Sequence, residues 1–246
     1  MSLIEKLKNE KAAVNPSLKK GDEYMQKSMP KEAVSEYLKS IIKENRNIKT
    51  YLGASRAYKE LQQYDKAIKH LEKAKTIDTF DYEIYYELGL NHLLNTEFEA
   101  ATKNFRKTIK LNPDFLSAQI QLAISHELMD EPEMAYKIYE KIIEEKPDFI
   151  VAHNHKAGLL MSMGNFEEAA RIFFDILRID DTYSRAYLGL GICFDKTEKY
   201  TQAVRFYKKY IAANPEGEAT KSIASRVIDI LSVVKERTNC PLWVAK

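Results

Sequence analysis

Six alanines constrain this chain more than any other feature of it. Ala33, Ala67, Ala101, Ala135, Ala169 and Ala203 stand 34 residues apart each time, with no insertion between them. A fixed period of this length marks an array of small units. Each unit is too small to bury its own apolar face and must stack on the next. In this frame residues 14–217 divide into six blocks: 14–47, 48–81, 82–115, 116–149, 150–183 and 184–217. Four residues after each alanine comes a large residue: Tyr37, Leu71, Phe105, Tyr139, Phe173 and Tyr207. Twelve before it comes a small one: Gly21, Ser55, Gly89, Ala123, Ala157 and Gly191.

A spacing of four places two residues on one face of a helix. Each block therefore predicts two helices joined by a short turn. The first carries a large residue, a small one and a ring, as in Tyr85, Gly89 and His92; the second carries the alanine and the large residue after it. Helices approach closely only where a side chain is nearly absent, so Gly89 is expected to face the Ala101 position. Pro30 and Pro132 open second helices, where a missing N–H costs little. Pro113, Pro147 and Pro215 close blocks, where a helix must stop.

This pattern resembles that of the tetratricopeptide repeat (TPR) family. The family motif W-x2-L-G-x2-Y…A-x3-F…P is most complete in "YYELGLNH…AATKNF…P" and "YLGLGICF…AVRFY…P", and the resemblance spans 204 of 246 residues. The Trp place holds Tyr51, Tyr85 and Tyr187, but Ser17, Gln119 and His153 elsewhere. The Leu place holds Lys20 and Lys156, which predicts looser packing in blocks one and five. The resemblance implies an all-α, right-handed α-solenoid with a concave and a convex side. Residues 218–237 carry Ile223, Val227, Ile230, Leu231 and Val234 in one apolar stripe and are predicted as the capping helix. Residues 1–13 are expected to form an N-terminal extension with a short helix around Leu3, Ile4 and Leu7. Residues 238–246 form a tail holding the only tryptophan, Trp243.

Several function classes are disfavoured. Thirty-eight basic residues against 36 acidic leave a net charge of +2, with no general attraction to nucleic acid or an anionic membrane. Cys193 and Cys240 form neither a CxxC pair nor a disulfide framework. "HELMD" at 126–130 ends in Asp130 where a zinc-protease motif needs a second histidine. His153 and His155 point about 200° apart on a helix, and His92 and His126 occupy ring places of the repeat. Cys193, between Ile192 and Phe194, reads as a buried inert thiol. The expectation is a protein with no catalytic residues, metal or cofactor. The opening "MSLIEKLKNEK" lacks the apolar core of a signal peptide, and no apolar run approaches the ~18 residues of a membrane span. The chain is expected to be cytoplasmic.

The resemblance also implies that first helices line a concave groove that receives partner segments. In block three Tyr86, Leu90, Leu93 and Leu94 form a second stripe, about 120° from a packing face of Tyr85, Leu88, Gly89 and His92. Ile120, Ile124 and Leu128 repeat it in block four. Val151 and Met161 follow in block five, and Leu188 and Ile192 in block six. Polar ends are expected at Lys49, Arg56 and Lys59, and at Arg185 and Lys196. Leu52, Arg56, Tyr86 and Leu90 do not reproduce the Lys, Asn and Arg set with which some family members grip chaperone carboxylates. The predicted function is thus a protein-interaction scaffold binding an apolar or amphipathic peptide or helix across blocks three to five. The alternative is a self-associating scaffold whose groove holds its own or a neighbour's tail, through Leu242, Trp243 and Val244. An RNA-binding helical repeat, which needs a basic inner face, is disfavoured.

Overall fold

The 34-residue period is a period of helix starts. The computed structural model describes residues 15–239; the expected helix around Leu3 and the tail with Trp243 lie outside them. The helices run α1 (Pro16–Gln26), α2 (Pro30–Lys43), α3 (Ile48–Glu60), α4 (Tyr64–Ile77), α5 (Tyr82–Leu94), α6 (Phe98–Leu111) and α7 (Leu116–Leu128). They continue as α8 (Pro132–Glu145), α9 (Ile150–Ser162), α10 (Phe166–Ile179), α11 (Ser184–Lys196), α12 (Tyr200–Ala213) and α13 (Thr220–Asn239). No strand occurs among the described residues. Two compact units hold these helices: residues 1–131 with α1–α7, and residues 132–246 with α8–α13.

Where the small place of the repeat is glycine, its nearest neighbour is the ring four residues after the alanine. A Cβ on Gly89 would stand 2.5 Å from the Phe105 ring, one on Gly21 2.6 Å from Tyr37, and one on Gly191 2.4 Å from Tyr207. Tyr37 is met from a second side by Gly53, where an added Cβ would stand 2.6 Å from its ring, so one ring is wedged between two successive first helices. The alanine is a separate point of contact, and Ala101 is wholly buried.

First and second helices differ in how their apolar residues are spread. The second helices α6 and α10 are strongly one-sided, whereas in α5, α7 and α9 apolar residues run around the helix. Contacts explain this. Ile84 and Leu88 of α5 pack on Leu71 and Ala74 of α4, while Gly89 faces Phe105 of α6. The expected packing face was too narrow, because it omitted Ile84 and the preceding repeat. Much of the two-faced character of α5 is therefore structural.

The Trp place of the motif works here as a hydrogen-bond donor. Tyr51, Tyr85 and Tyr187 donate their hydroxyls to the carbonyls of Asn45, Thr79 and Asp181, each six residues earlier. Gln119 donates its amide to Pro113 O at 2.8 Å, and His153 gives a ring N–H to Pro147 O at 2.8 Å. Five side chains of three chemistries tie the same inter-repeat turn, which is why Gln and His can stand for Tyr. Lys156, at the Leu place, turns its charged end to the preceding block. It reaches Glu140 at 3.2 Å, and its ammonium lies 4.2 Å from the Tyr136 ring centre.

The turn inside each repeat is equally periodic. Ser28, Gln62, Thr96, Asp130 and Glu198 all adopt φ between +55° and +61°, and Gly164 takes the same place at +81°. That left-handed conformation disfavours residues bearing a Cβ, above all the β-branched Thr96.

After the last repeat, α13 buries Val227 and Ile230 against Ala203, Val204 and Tyr207, with Ile223 and Val234 at the edges. Leu231 does not join this stripe: it is 47% exposed, and Ile228 is 65% exposed. The cap is thus apolar on two sides, a correction to its expected single stripe.

Candidate functional site

Within residues 1–131 the first helices α3 and α5 meet through charge. Arg56 and Lys59 are three apart on α3, and Glu83 and Glu87 four apart on α5, so each pair shares a face. Arg56 Nε donates to Glu87 Oε1 at 2.7 Å, Arg56 Nη2 pairs with Glu83, and Lys59 Nζ donates to Glu87 Oε2 at 2.9 Å. Glu87 is only 4% exposed. Burial alone would lower the Arg56 pKa, but the Glu87 and Glu83 carboxylates outweigh it and hold the guanidinium more firmly protonated. Arg56 and Lys59, expected as charges at a polar groove end, are therefore committed to partners in the neighbouring repeat. The sequence reading had not singled out Glu87.

Beside this network lies a concavity of about 440 Å³. Leu18, Met25, Leu52 and Gly53 give it apolar walls; Asp22, Lys49, Arg56 and Glu83 give it charge. Tyr37 donates its hydroxyl to Asp22 Oδ1 at 2.7 Å, and burial together with that carboxylate raises the phenol pKa. Lys49 is exposed.

The expected apolar stripe is uneven in its exposure. Leu94 and Leu128 occupy equivalent places on α5 and α7, and are 49% and 53% exposed. Leu90, Leu93 and Ile124 are half-buried beside them. Tyr86 is half-buried too, its ring packed edge-on to Phe115 with centroids 4.8 Å apart. Ile120, at 5% exposure, offers almost no surface to a ligand.

In residues 132–246 the expected groove residues are mostly used in packing. Leu188 and Ile192 are half-buried and lie against the cluster of Ala203, Tyr207, Val227 and Ile230. Met161 packs on the cluster around Leu160 and Phe173. Val151 stays exposed, as do Arg185 and Lys196. Asp195 accepts two hydrogen bonds from Arg226 of α13, both 2.8 Å, and one from Tyr207 at 3.2 Å. Those bonds hold its carboxyl below the usual range against the opposing effect of burial.

Among the remaining sequence candidates, Cys193 is buried, and burial plus the Glu167 charge push its thiol up to about 12, far from a thiolate at neutral pH. His92 and His126 are more than packing rings: each places Nδ1 2.5 Å from a carboxylate five residues on, Glu97 and Glu131. Among the described residues no cluster of three or more His, Cys, Asp or Glu could hold a metal ion. No described helix is long and apolar enough to cross a membrane.

Helix pairs that recur every 34 residues, with a ring wedged between successive first helices, define a tetratricopeptide-repeat protein, a helical-repeat interaction scaffold. More particularly, the family model of the coatomer epsilon subunit matches residues 2–228, and the chain belongs to that family. Solved structures agree on the fold. MamA is 26% identical, with a TM-score of 0.61 over 70% of this chain and 99% of that one. PilW, a type IV pilus biogenesis factor, is 16% identical, with a TM-score of 0.70 over 86% of this chain and 100% of its own. YrrB, described as a TPR protein with an unusual peptide-binding site, is 16% identical, with a TM-score of 0.56 over 77% and 97%.

Proposed function

We propose that this chain is a non-enzymatic interaction subunit that binds an apolar or amphipathic segment along the inner edges of α5 and α7. The observation that carries this reading is the pair Leu94 and Leu128, large apolar side chains about half exposed at equivalent places on adjacent first helices. Neighbouring exposed apolar residues favour an interface over a solvated face. Leu90 and Ile124 extend the strip at half burial, so a partner meets a surface already held in shape by the fold. The neighbouring concavity, with Leu18, Leu52 and Met25 in its walls, suits one anchoring side chain of the same segment. Compared with the expected strip over blocks three to five, this site is shorter and lies wholly within residues 1–131.

Two further points support binding over catalysis. The coatomer epsilon subunit is by name one part of an assembly, and YrrB is described as having a peptide-binding site. Arg56, Lys59, Glu83 and Glu87 are also paired with one another between α3 and α5, so their polar atoms are engaged within the fold. The test is a peptide-display selection on the parent protein, counter-selected on Leu94→Asp/Leu128→Asp. Enrichment of sequences with apolar residues at helical spacing is the expected result. Enrichment of acidic or basic sequences indifferent to the two substitutions would defeat the proposal.

A further inference from the structure

Like charges four residues apart share one face of a helix and destabilise it. The second helices of the first unit carry two such pairs: Lys69 and Lys73 on α4, and Lys103 and Lys107 on α6. The pairs stand one 34-residue period apart. Lys69, Lys73 and Lys103 are exposed and Lys107 is half-buried. Among the described residues none of the four lysines has a carboxylate within 4.0 Å. Asp65 and Glu99, one turn before Lys69 and Lys103, do not reach them; Asp65 instead accepts from Asn95 at 3.3 Å. Arg56 and Lys59 on α3, by contrast, are answered within the fold.

Each pair walls a concavity, and the two concavities are equivalent places of successive repeats. The first, about 400 Å³, sets Lys69 and Lys73 beside Tyr51, Tyr58 and His70. The second, about 490 Å³, sets Lys103 and Lys107 beside Tyr85, His92 and Asn104, which stand 34 residues after those three. The carboxylate at its edge, Glu72, is paired with Lys75. His70 adds a ring and little charge near neutral pH, because burial and the Lys69 ammonium lower its pKa. A ring also steadies one of the cations: Lys107 Nζ lies 5.5 Å from the centre of the Tyr85 ring.

We propose that these two concavities form a docking surface for an acidic peptide segment of a protein partner, which brings a carboxylate to each lysine pair. Charge complementarity selects the occupant, since the four ammonium groups lack an anion of their own chain. A side-chain carboxylate enters a concavity of this size, whereas a flat anionic bilayer does not. Single-stranded nucleic acid binds by stacking its bases on open ring faces. Here the faces are taken: Tyr58 stacks on His70 with centroids 5.3 Å apart and carries Lys66 at 5.7 Å, and Tyr85 lies under Lys107. This surface belongs to residues 1–131 and does not rest on the apolar strip of Leu94 and Leu128.

The probe is a fluorescein-labelled decaglutamate peptide, titrated with the full chain and followed by anisotropy. The parent should bind it at low salt and release it as salt screens the contact. Lys69→Gln/Lys73→Gln/Lys103→Gln/Lys107→Gln should bind at least about tenfold more weakly. Its melting temperature should equal or exceed that of the parent, because the like-charge pairs are gone. Lys19→Gln/Lys20→Gln/Lys27→Gln/Lys31→Gln removes the same charge from exposed sites of the same unit. That variant should change affinity by less than about twofold, because distant charges act only through a screened field. If the first variant loses helicity, Lys73→Gln/Lys107→Gln carries the same comparison. No binding by the parent, or an equal loss in the two sets of variants, would overturn the proposal. Tighter binding of decauridylate or of phosphatidylserine vesicles, lost on the same substitutions, would also overturn it, because the surface would then serve another class of partner.

Discussion

Two neighbouring stretches of the first helices have opposite fates. Between α3 and α5 the partly or wholly buried positions carry charge, and the charges are spent on one another: Arg56 and Lys59 with Glu83 and Glu87. Between α5 and α7 the positions at the end of the first helix carry Leu94 and Leu128, which have no such partners and remain about half exposed. The lesson concerns what a surface offers. A charged position on one repeat is available to a ligand only if the next repeat has not answered it.

The largest test of this contrast is to remove both cations at once. Arg56→Met/Lys59→Met leaves the Glu87 carboxylate buried without a counter-charge, and unfolding should become easier by about 3–5 kcal/mol. Adding Glu87→Gln in that background should recover most of the loss, as measured by urea denaturation. If the double variant is as stable as the parent, the network is not what binds α3 to α5.

A smaller effect comes from attacking the apolar strip from behind. Ala101 is wholly buried on α6, so Ala101→Leu should overpack the contact with α5 and cost about 1–3 kcal/mol. It should also weaken any ligand bound over Leu94, because it shifts the helix that carries it.

Thr96 closes the same helix in the left-handed conformation, at φ +61°. Thr96→Gly removes that cost and should stabilise the protein by about 1 kcal/mol, leaving the strip intact. A destabilised variant in thermal melts would show that the Thr96 side chain makes a contact worth more than the strain.

The smallest effect sharpens the contrast from the second unit, where Asp195 and Arg226 form another answered pair. The folded pKa of Asp195 is depressed, so its contribution is present above the unfolded carboxylate value of about 3.9 and is lost as pH falls through the folded value. Arg226 is half exposed, which limits the contribution to below about 1 kcal/mol. Melts of the parent and of Asp195→Asn should therefore differ slightly at neutral pH and converge in acid.

How much of this was legible in the sequence follows from what spacing can report. The 34-residue frame, the two helices per repeat and the burial of Ala101 come from periodicity within one chain segment. The glycine partner was misassigned because a four-residue spacing places Ala101 and Phe105 on one face without saying which of them reaches Gly89. Gln119 and His153 looked like departures from the Trp place; they are donors to the same turn, a role visible only as hydrogen-bonding capacity, not as size. Glu87 escaped notice because its partners lie 28 and 31 residues away, yet opposite charges at facing places of adjacent blocks were the available signal. Leu188, Ile192 and Leu231 were misjudged together. A helical wheel does not show where following helices land, and the cluster of α12 and α13 half-buries the first two while leaving the third outside.

The central claim is that Leu94 and Leu128 are the ligand-facing part of the inner edge. It is tested most directly by calorimetric titration of a display-selected peptide into the parent and into Leu94→Asp/Leu128→Asp. Both side chains are about half exposed, so the variant should keep its helical content and melting temperature. Its affinity should fall by at least about 2 kcal/mol, roughly thirtyfold, as loss of a central apolar anchor implies. A folded variant that binds the peptide with parental affinity would contradict the account.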